Sequence, residues 1–311
     1  MTEKAAASPE KCFEAVAVAW HKTNKKWSAD YAERILASMK NHIFPAIGHS
    51  PVTLLKTQHF TTLLRVIEDK GFLEVASRTR QQLCNIMRYA VQQGLTENNP
   101  AQHLEGVTAP PVKNHYPALL LERLPELLER IGDYQQGRQI TRLAVALTLH
   151  LFIRSSELRF SGRGAKMRTP HIVPLSRQAI AILKQIQKIS GHLELVFPGD
   201  HNPYKPMSEN TINRALRLMG YDTKTDVCGH GFRAMACSAL VESELWSRDA
   251  VERQMSHQER NSVRAAYIHK AEHLDARKAM MQWWSDYLDM SREEYIAPWI
   301  YARENNTPRN N

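Results

Sequence analysis

Two side chains at helical spacing stand out first. In His230-Gly231-Phe232-Arg233 the histidine and the arginine are three positions apart, so on a helix they share a face. At a helix N-terminus that pair faces an anion which the backbone N–H groups also favour. The motif is weak alone. A chain with 14 histidines contains roughly one His-x-x-Arg by chance, and an ordinary surface pair accounts for it equally well. Further groups follow the same pattern of chemistry without proof. Arg154 closes the apolar stretch Leu143 to Phe152 and precedes Glu157-Leu158-Arg159. Lys166 sits between the turn Ser161-Gly162-Arg163-Gly164 and His171-Ile172-Val173-Pro174-Leu175. Ser256-His257 precedes Ala265-Ala266-Tyr267. Each has a plainer explanation: a pair of Arg154 with Glu157, a solvated lysine, a helix cap at His257, and a core Tyr267 with its hydroxyl at the surface.

The elements that must hold these groups fall into two regions. Residues 1–11 form an N-terminal segment expected to be disordered, and 12–103 read as almost purely helical. Phe13, Val16, Ala17 and Trp20 mark the first helix. Ser28 caps a second, with Tyr31, Ile35 and Met39 on its apolar face, ended by Pro45 and Gly48. Thr57 to Lys70 carries Phe60, Leu63, Leu64 and Ile67 on one side, and Gly71 stops it. Ser77 opens a fourth helix, with Leu83, Ile86, Met87, Ala90 and Val91 inward, closed by Asn98, Asn99 and Pro100. This is a small helical bundle. Residues 104–117 hold Pro110-Pro111 and Pro117 and read as a linker.

Residues 118–290 are mixed. Helices are expected over 119–131, 139–152, 177–189, 209–219, 230–241, 248–255, 263–269 and 274–288, and short strands at 171–175 and 193–197. The polar stretch 291–311 reads as a tail, although Tyr295, Trp299 and Tyr301 offer docking groups.

Composition limits the classes open to the chain. Its 311 residues are 43% hydrophobic and 23% charged, enough for two packed domains and too apolar for a disordered chain. No apolar run is long enough to span a membrane, and the start MTEKAAASPEK lacks the pattern of a signal peptide. Lys+Arg 41 against Asp+Glu 32 gives a net charge of +9, which favours a polyanionic partner. The four cysteines, Cys12, Cys84, Cys228 and Cys237, form no CxxC pair. They fit free thiols in a reducing, cytoplasmic setting.

The order of the groups is more specific than any one of them. An arginine, a lysine before a strand, His-x-x-Arg, a second histidine and a tyrosine resemble the tyrosine recombinases, or phage integrases. KMRTPHIVPLS, GHGFRAMA, MSHQERNSVRAAYIHKAEHLDAR and MMQWWSDYL look like the integrases of satellite phages, prophages and genomic islands. The likeness runs from about Phe13 to about Leu288. It implies a mainly α fold of the DNA breaking-rejoining type: a helical core-type DNA-binding domain, then a mostly helical catalytic domain with a small antiparallel sheet.

The resemblance also implies roles. Tyr267 would attack a DNA phosphodiester and form a 3′-phosphotyrosine. Arg154 and Arg233 would stabilise the doubly negative phosphorane. Lys166 would protonate the leaving 5′-oxygen. His230 would assist proton movement at the tyrosine, and His257 would bond a non-bridging oxygen. Glu157 would orient an arginine. Lys25, Lys26, Arg34, Arg78, Arg80 and Arg88 are candidate phosphate contacts, each equally readable as part of a solvated face. The implied partners are double-stranded attachment-site DNA, three further copies of the chain in a homotetramer, and directionality or DNA-bending accessory proteins. No metal and no cofactor is called for.

Two departures from the family bear on activity. The chain begins near the segment that would join an arm-binding domain to the bundle, so it is expected to be a fragment or a truncated product. Lys166 also follows Arg154 after only 12 positions, too few for the strands expected there. Part of the sheet is then lost, 171–175 lacks ladder partners, and Lys166 is poorly held. Two alternatives stand beside an active recombinase: a catalytically impaired DNA-binding remnant, and a metal-dependent nuclease built from the histidines. The second lacks a carboxylate cluster and ligand spacing.

Overall fold

The computed structural model describes residues 11–111, 115–154, 157–158, 172–255 and 273–305. The chain divides into two compact units, Met1–Asn114 and His115–Asn311, each with its own core.

In the first unit α1 (Phe13–Thr23), α2 (Ala29–His42), the short α3 (Phe44–Ile47), α4 (Thr57–Asp69) and α5 (Leu73–Gln92) form the bundle. Apolar residues at helical spacing pack inward: Phe13, Met39, Phe60, Leu64, Leu83 and Ile86 are fully or almost fully buried. Ser28 caps α2 by accepting from the Tyr31 amide. Gly71, at φ +78°, ends α4 in the left-handed conformation that only glycine adopts cheaply.

Several details differ from expectation. Pro45 does not end a helix but sits in the first turn of α3, where its missing N–H costs nothing. α5 starts at Leu73 rather than Ser77, because Leu73–Ala76 already point a buried Ala76 inward. Tyr31 is not core. It is 42% exposed and packs edge-on against Trp27.

The expected linker is largely docked. Leu104 is buried in the first core, and the Ala109 N–H donates to Glu68 Oε1 at 2.7 Å. On the other side, the Pro117 carbonyl accepts from the Cys228 amide at 3.2 Å.

The second unit contains α6 (Leu124–Gly132), α7 (Gln139–Leu151), α8 (Arg177–Ser190), α9 (Thr211–Leu218), α10 (Gly231–Glu242), α11 (Arg248–Gln254), α12 (Leu274–Met290) and α13 (Pro298–Asn305). α7 is its central helix, buried on nearly every side and packed against α6, α8, α9, α10 and α12. The C-terminal stretch is more than a polar tail. α13 packs on α10, and Tyr301 is 5% exposed beside Trp283 and Tyr287. The helix expected at 263–269 lies outside the described residues.

The expected sheet is not formed among the described residues, and the fold there is mainly α. Residues 172–176 form neither helix nor ladder. Instead, buried Arg277 of α12 donates a guanidinium N–H to the Ile172 carbonyl, while its fork also holds Gln254 Oε1 at 2.9 and 3.1 Å. Residues 193–197 bend irregularly into an isolated Pro198–Pro206 bridge. The two prolines are the non-hydrogen-bonded pair of that bridge, which is closed by the Gly199 amide on the Lys205 carbonyl at 2.7 Å and the Met207 amide on the Phe197 carbonyl at 2.9 Å. No described helix is long and apolar enough to cross a membrane.

Candidate catalytic and DNA-binding sites

Three of the six catalytic candidates, Arg154, His230 and Arg233, lie where α7 ends and α10 begins. Phe152 leaves α7 in the left-handed region, at φ 39° and ψ 35°. For a non-glycine residue this costs about 1–2 kcal/mol. Complete burial of its ring, edge-on to Trp284 with centroids 6.3 Å apart, offsets the cost. The sharp exit carries Arg154 off the helix axis. Glu157 then grips Arg154 twice: Oε1 accepts from the guanidinium Nη1 and Oε2 from the backbone N–H, both at 3.1 Å. The expected orienting contact of Glu157 with an arginine is therefore present. It is also the plain pair that the spacing allows.

Arg233 approaches from the first turn of α10 and is 2% exposed. Its Nη1 donates to the Phe152 carbonyl at 2.8 Å and its Nη2 to the Met255 carbonyl at 2.7 Å. Burial, and then the positive charge of Arg154, lower its pKa to about 10. It stays cationic at neutral pH. Two guanidinium groups that repel one another are thus held together by backbone carbonyls and Glu157, an arrangement suited to an anion bearing more than one charge.

His230 occupies the N-cap of α10 and is exposed. Its ring packs against Tyr116, with centroids 4.2 Å apart and planes 43° apart. Lys166, His257 and Tyr267 lie outside the described residues.

Tyr287, a second tyrosine near the chain end, is fully buried, and its hydroxyl donates to the Ile296 carbonyl at 2.8 Å. Burial also raises its pKa, so it cannot serve as an accessible nucleophile. Among the described residues no group of three or more His, Cys, Asp or Glu side chains comes together to hold a metal ion.

In the first unit, Arg34, Arg78 and Arg88 line one open cleft of about 890 Å³ between α2 and α5. Lys25, Lys26 and Arg80 do not line it. On α5 the cleft is faced by Arg78, Gln81, Asn85, Arg88 and Gln92, alternately three and four positions apart, which is one helical face. Gln82 lies at its base, 6% exposed, with a buried and unpartnered Oε1. A search for cations alone passes over Gln81, Gln82 and Asn85. Their periodicity with Arg78 and Arg88 was the available signal.

Residues 13–107 match the profile of the phage integrase central domain, and residues 140–273 that of the phage integrase family. The protein IntB of Escherichia coli (strain K12) is 54% identical over 331 aligned positions, covering 98% of this chain and 83% of that protein. The integrase of Enterobacteria phage P4 is 51% identical over 312 positions, covering 92% of this chain and 71% of the phage protein. The fold is that of lambda integrase: the tetramer bound to a Holliday junction gives a TM-score of 0.61 at 16% identity, covering 81% of this chain and 79% of that one. The chain belongs to the phage integrase family. Within it, it is a tyrosine recombinase of the phage and prophage type, a site-specific DNA recombinase by descent.

Proposed function

We propose that the chain cuts and rejoins DNA at attachment sites of a mobile element, in integration or excision, through a 3′-phosphotyrosine at Tyr267. The observation that carries this reading is the convergence of Arg154 and Arg233, from separate helix ends, beside the N-cap that bears His230. Both forks would grip the non-bridging oxygens and gain most at the phosphorane, where the charge is greatest. His230 would take the phenolic proton. His257 would bond a non-bridging oxygen, and Lys166 would protonate the departing 5′-oxygen. The cleft between α2 and α5, with Arg34, Arg78 and Arg88, would hold the duplex, with Lys25, Lys26 and Arg80 as outlying phosphate contacts. Four copies would assemble on the DNA, as in the lambda integrase tetramer on its Holliday junction.

A second reading, a DNA-binding remnant with impaired cleavage, is favoured by one observation. The alignment with IntB has 331 positions although this chain has 311 residues, so internal gaps fall on this chain's side. The short interval from Arg154 to Lys166 is where we place such a loss. A suicide substrate nicked beside the cleavage point separates the two readings. A covalent protein–DNA adduct, stable to denaturant, is expected of the recombinase. Tight binding with no adduct is expected of the remnant.

A further inference from the structure

We propose that Gln81 and Asn85 of α5 are specificity-determining residues, each reading the edge of one adenine in the major groove of the attachment site. This rests on the reading of the cleft between α2 and α5 as the DNA-binding face. It goes further by dividing that face into groups that hold the duplex and groups that read it.

The division follows from the order of side chains along one helical face. Arg78, Gln81, Asn85 and Arg88 all line the cleft from α5, so two amides lie between two cations. At a rise of 1.5 Å per residue the two arginines are about 15 Å apart along the axis. A major groove is roughly 12 Å wide and admits a helix. A helix seated there brings its outer cations to the phosphates and its middle to the base edges. Among the described residues no carboxylate lines the cleft. Glu74 bonds Arg78 at 2.8 Å from one turn back along α5 and stays outside it.

The chemistry of the middle selects the base. A primary amide offers an acceptor and two donors side by side. Adenine presents the complement in the major groove, an N7 acceptor beside an N6–H donor. Guanine presents two acceptors, which an arginine fork suits better. Gln81 is exposed and Asn85 half-buried, and neither side chain hydrogen-bonds a described residue. A base edge therefore competes with water alone for their donors and acceptors. Gln82, next to Gln81 in the chain, is 6% exposed and lies too deep to reach a base.

The test uses the full chain and a pool of duplexes randomised in sequence. The bound fraction is recovered and sequenced for wild type, Gln81→Ala, Asn85→Ala and Arg88→Ala. Alanine is the best helix former, so α5 keeps its fold in all three variants, which far-UV circular dichroism checks. Each amide variant should lose the selection of adenine at one position of the wild-type site and keep selection elsewhere. The loss should be roughly 5- to 150-fold, the worth of one bidentate contact. Arg88→Ala should weaken binding to all sequences alike. Amide variants that select the wild-type site unchanged overturn the proposal alone and leave the cleft as a face that holds DNA. So does a loss confined to positions where the wild type selects a base other than adenine. A wild type that binds no duplex, or an Arg88→Ala variant that binds as tightly as wild type, overturns the DNA-binding reading of the cleft together with the proposal.

Discussion

Arg233 donates to the carbonyl of Phe152, 81 positions earlier in the chain, at 2.8 Å. The bond ties the first turn of α10 to the left-handed exit of α7, the turn that releases Arg154. One side chain therefore fixes both arginines. Arg233→Lys keeps a charge but cannot span the Phe152 and Met255 carbonyls with one planar fork. Adduct formation should fall about 10²–10³-fold, as when one transition-state donor is removed. A lysine variant within a few-fold of wild type would show that charge alone suffices.

Tyr267→Phe removes only the phenolic oxygen. It should bind DNA as the wild type does and form no covalent adduct. Undiminished adduct would reassign the nucleophile, and Tyr287, buried and bonded to Ile296, would not be the replacement.

Binding should be strongly salt-dependent, since each neutralised phosphate releases counterions. With 6–10 contacts, affinity falls roughly 10³–10⁵-fold between 50 and 200 mM salt. Arg88→Ala should lower the logarithmic salt slope by about one and leave sequence preference intact. A flat salt response would exclude the cleft between α2 and α5 as a phosphate-binding face.

Lys166 gives the sharpest division between enzyme and remnant. If the shortened segment misplaces this acid, cleavage of ordinary DNA loses about 10²–10⁴ in rate. Replacing the bridging 5′-oxygen by sulfur should restore cleavage, because a thiolate leaves without a proton. Efficient recombination of unmodified attachment sites would instead show that Lys166, or another group such as Lys184 or Lys205, still delivers one.

His150 predicts an acid-labile second unit. It is buried, its Nδ1 is 2.9 Å from Ser285 Oγ, and the Ser285 hydroxyl donates to Ser176 Oγ at 2.7 Å. Burial lowers its pKa from 6.5 to about 4. The folded state therefore holds fewer protons than the unfolded chain between these values. This contribution to stability is complete above about pH 6.5 and is lost as the pH falls toward 4, by about 3 kcal/mol in all. Urea unfolding followed by tryptophan fluorescence at pH 7, 6 and 5 should show falling midpoints, with a shallower decline in His150→Asn. Identical pH slopes for the two proteins would remove His150 as the cause.

The helices were legible because burial follows a 3.6-residue period: Phe60, Leu63, Leu64 and Ile67 are all inside. The strands were not. His171 to Leu175 has an apolar composition that suits a strand, yet Ile172 and Leu175 are 56% and 43% exposed. The segment is instead fastened end-on by Arg277. Nothing local marks Arg277 as buried, since Ala276-Arg277-Lys278 reads like a helix surface; the bonds to Gln254 and Ile172 that help offset its desolvation come from distant parts of the chain. The left-handed turn at Phe152 was equally hidden, because no glycine announces it. Arg154 and Arg233 were singled out by type and order, whereas the grip of Arg233 on the Phe152 and Met255 carbonyls, which ties it to the turn before Arg154, is a tertiary fact.

The two cores have no residue in common, one running from Phe13 to Leu104 and the other from Leu119 to Tyr301. For a lineage of mobile elements this is a form of modular inheritance. If the cleft between α2 and α5 reads the attachment site as proposed, substitutions across it would retarget the element without perturbing the packing that holds Arg154 and Arg233. Conversely, a loss between Arg154 and Lys166 would leave the first core whole, so on the proposed roles a lineage would shed strand cleavage and still inherit a folded module for occupying its old site.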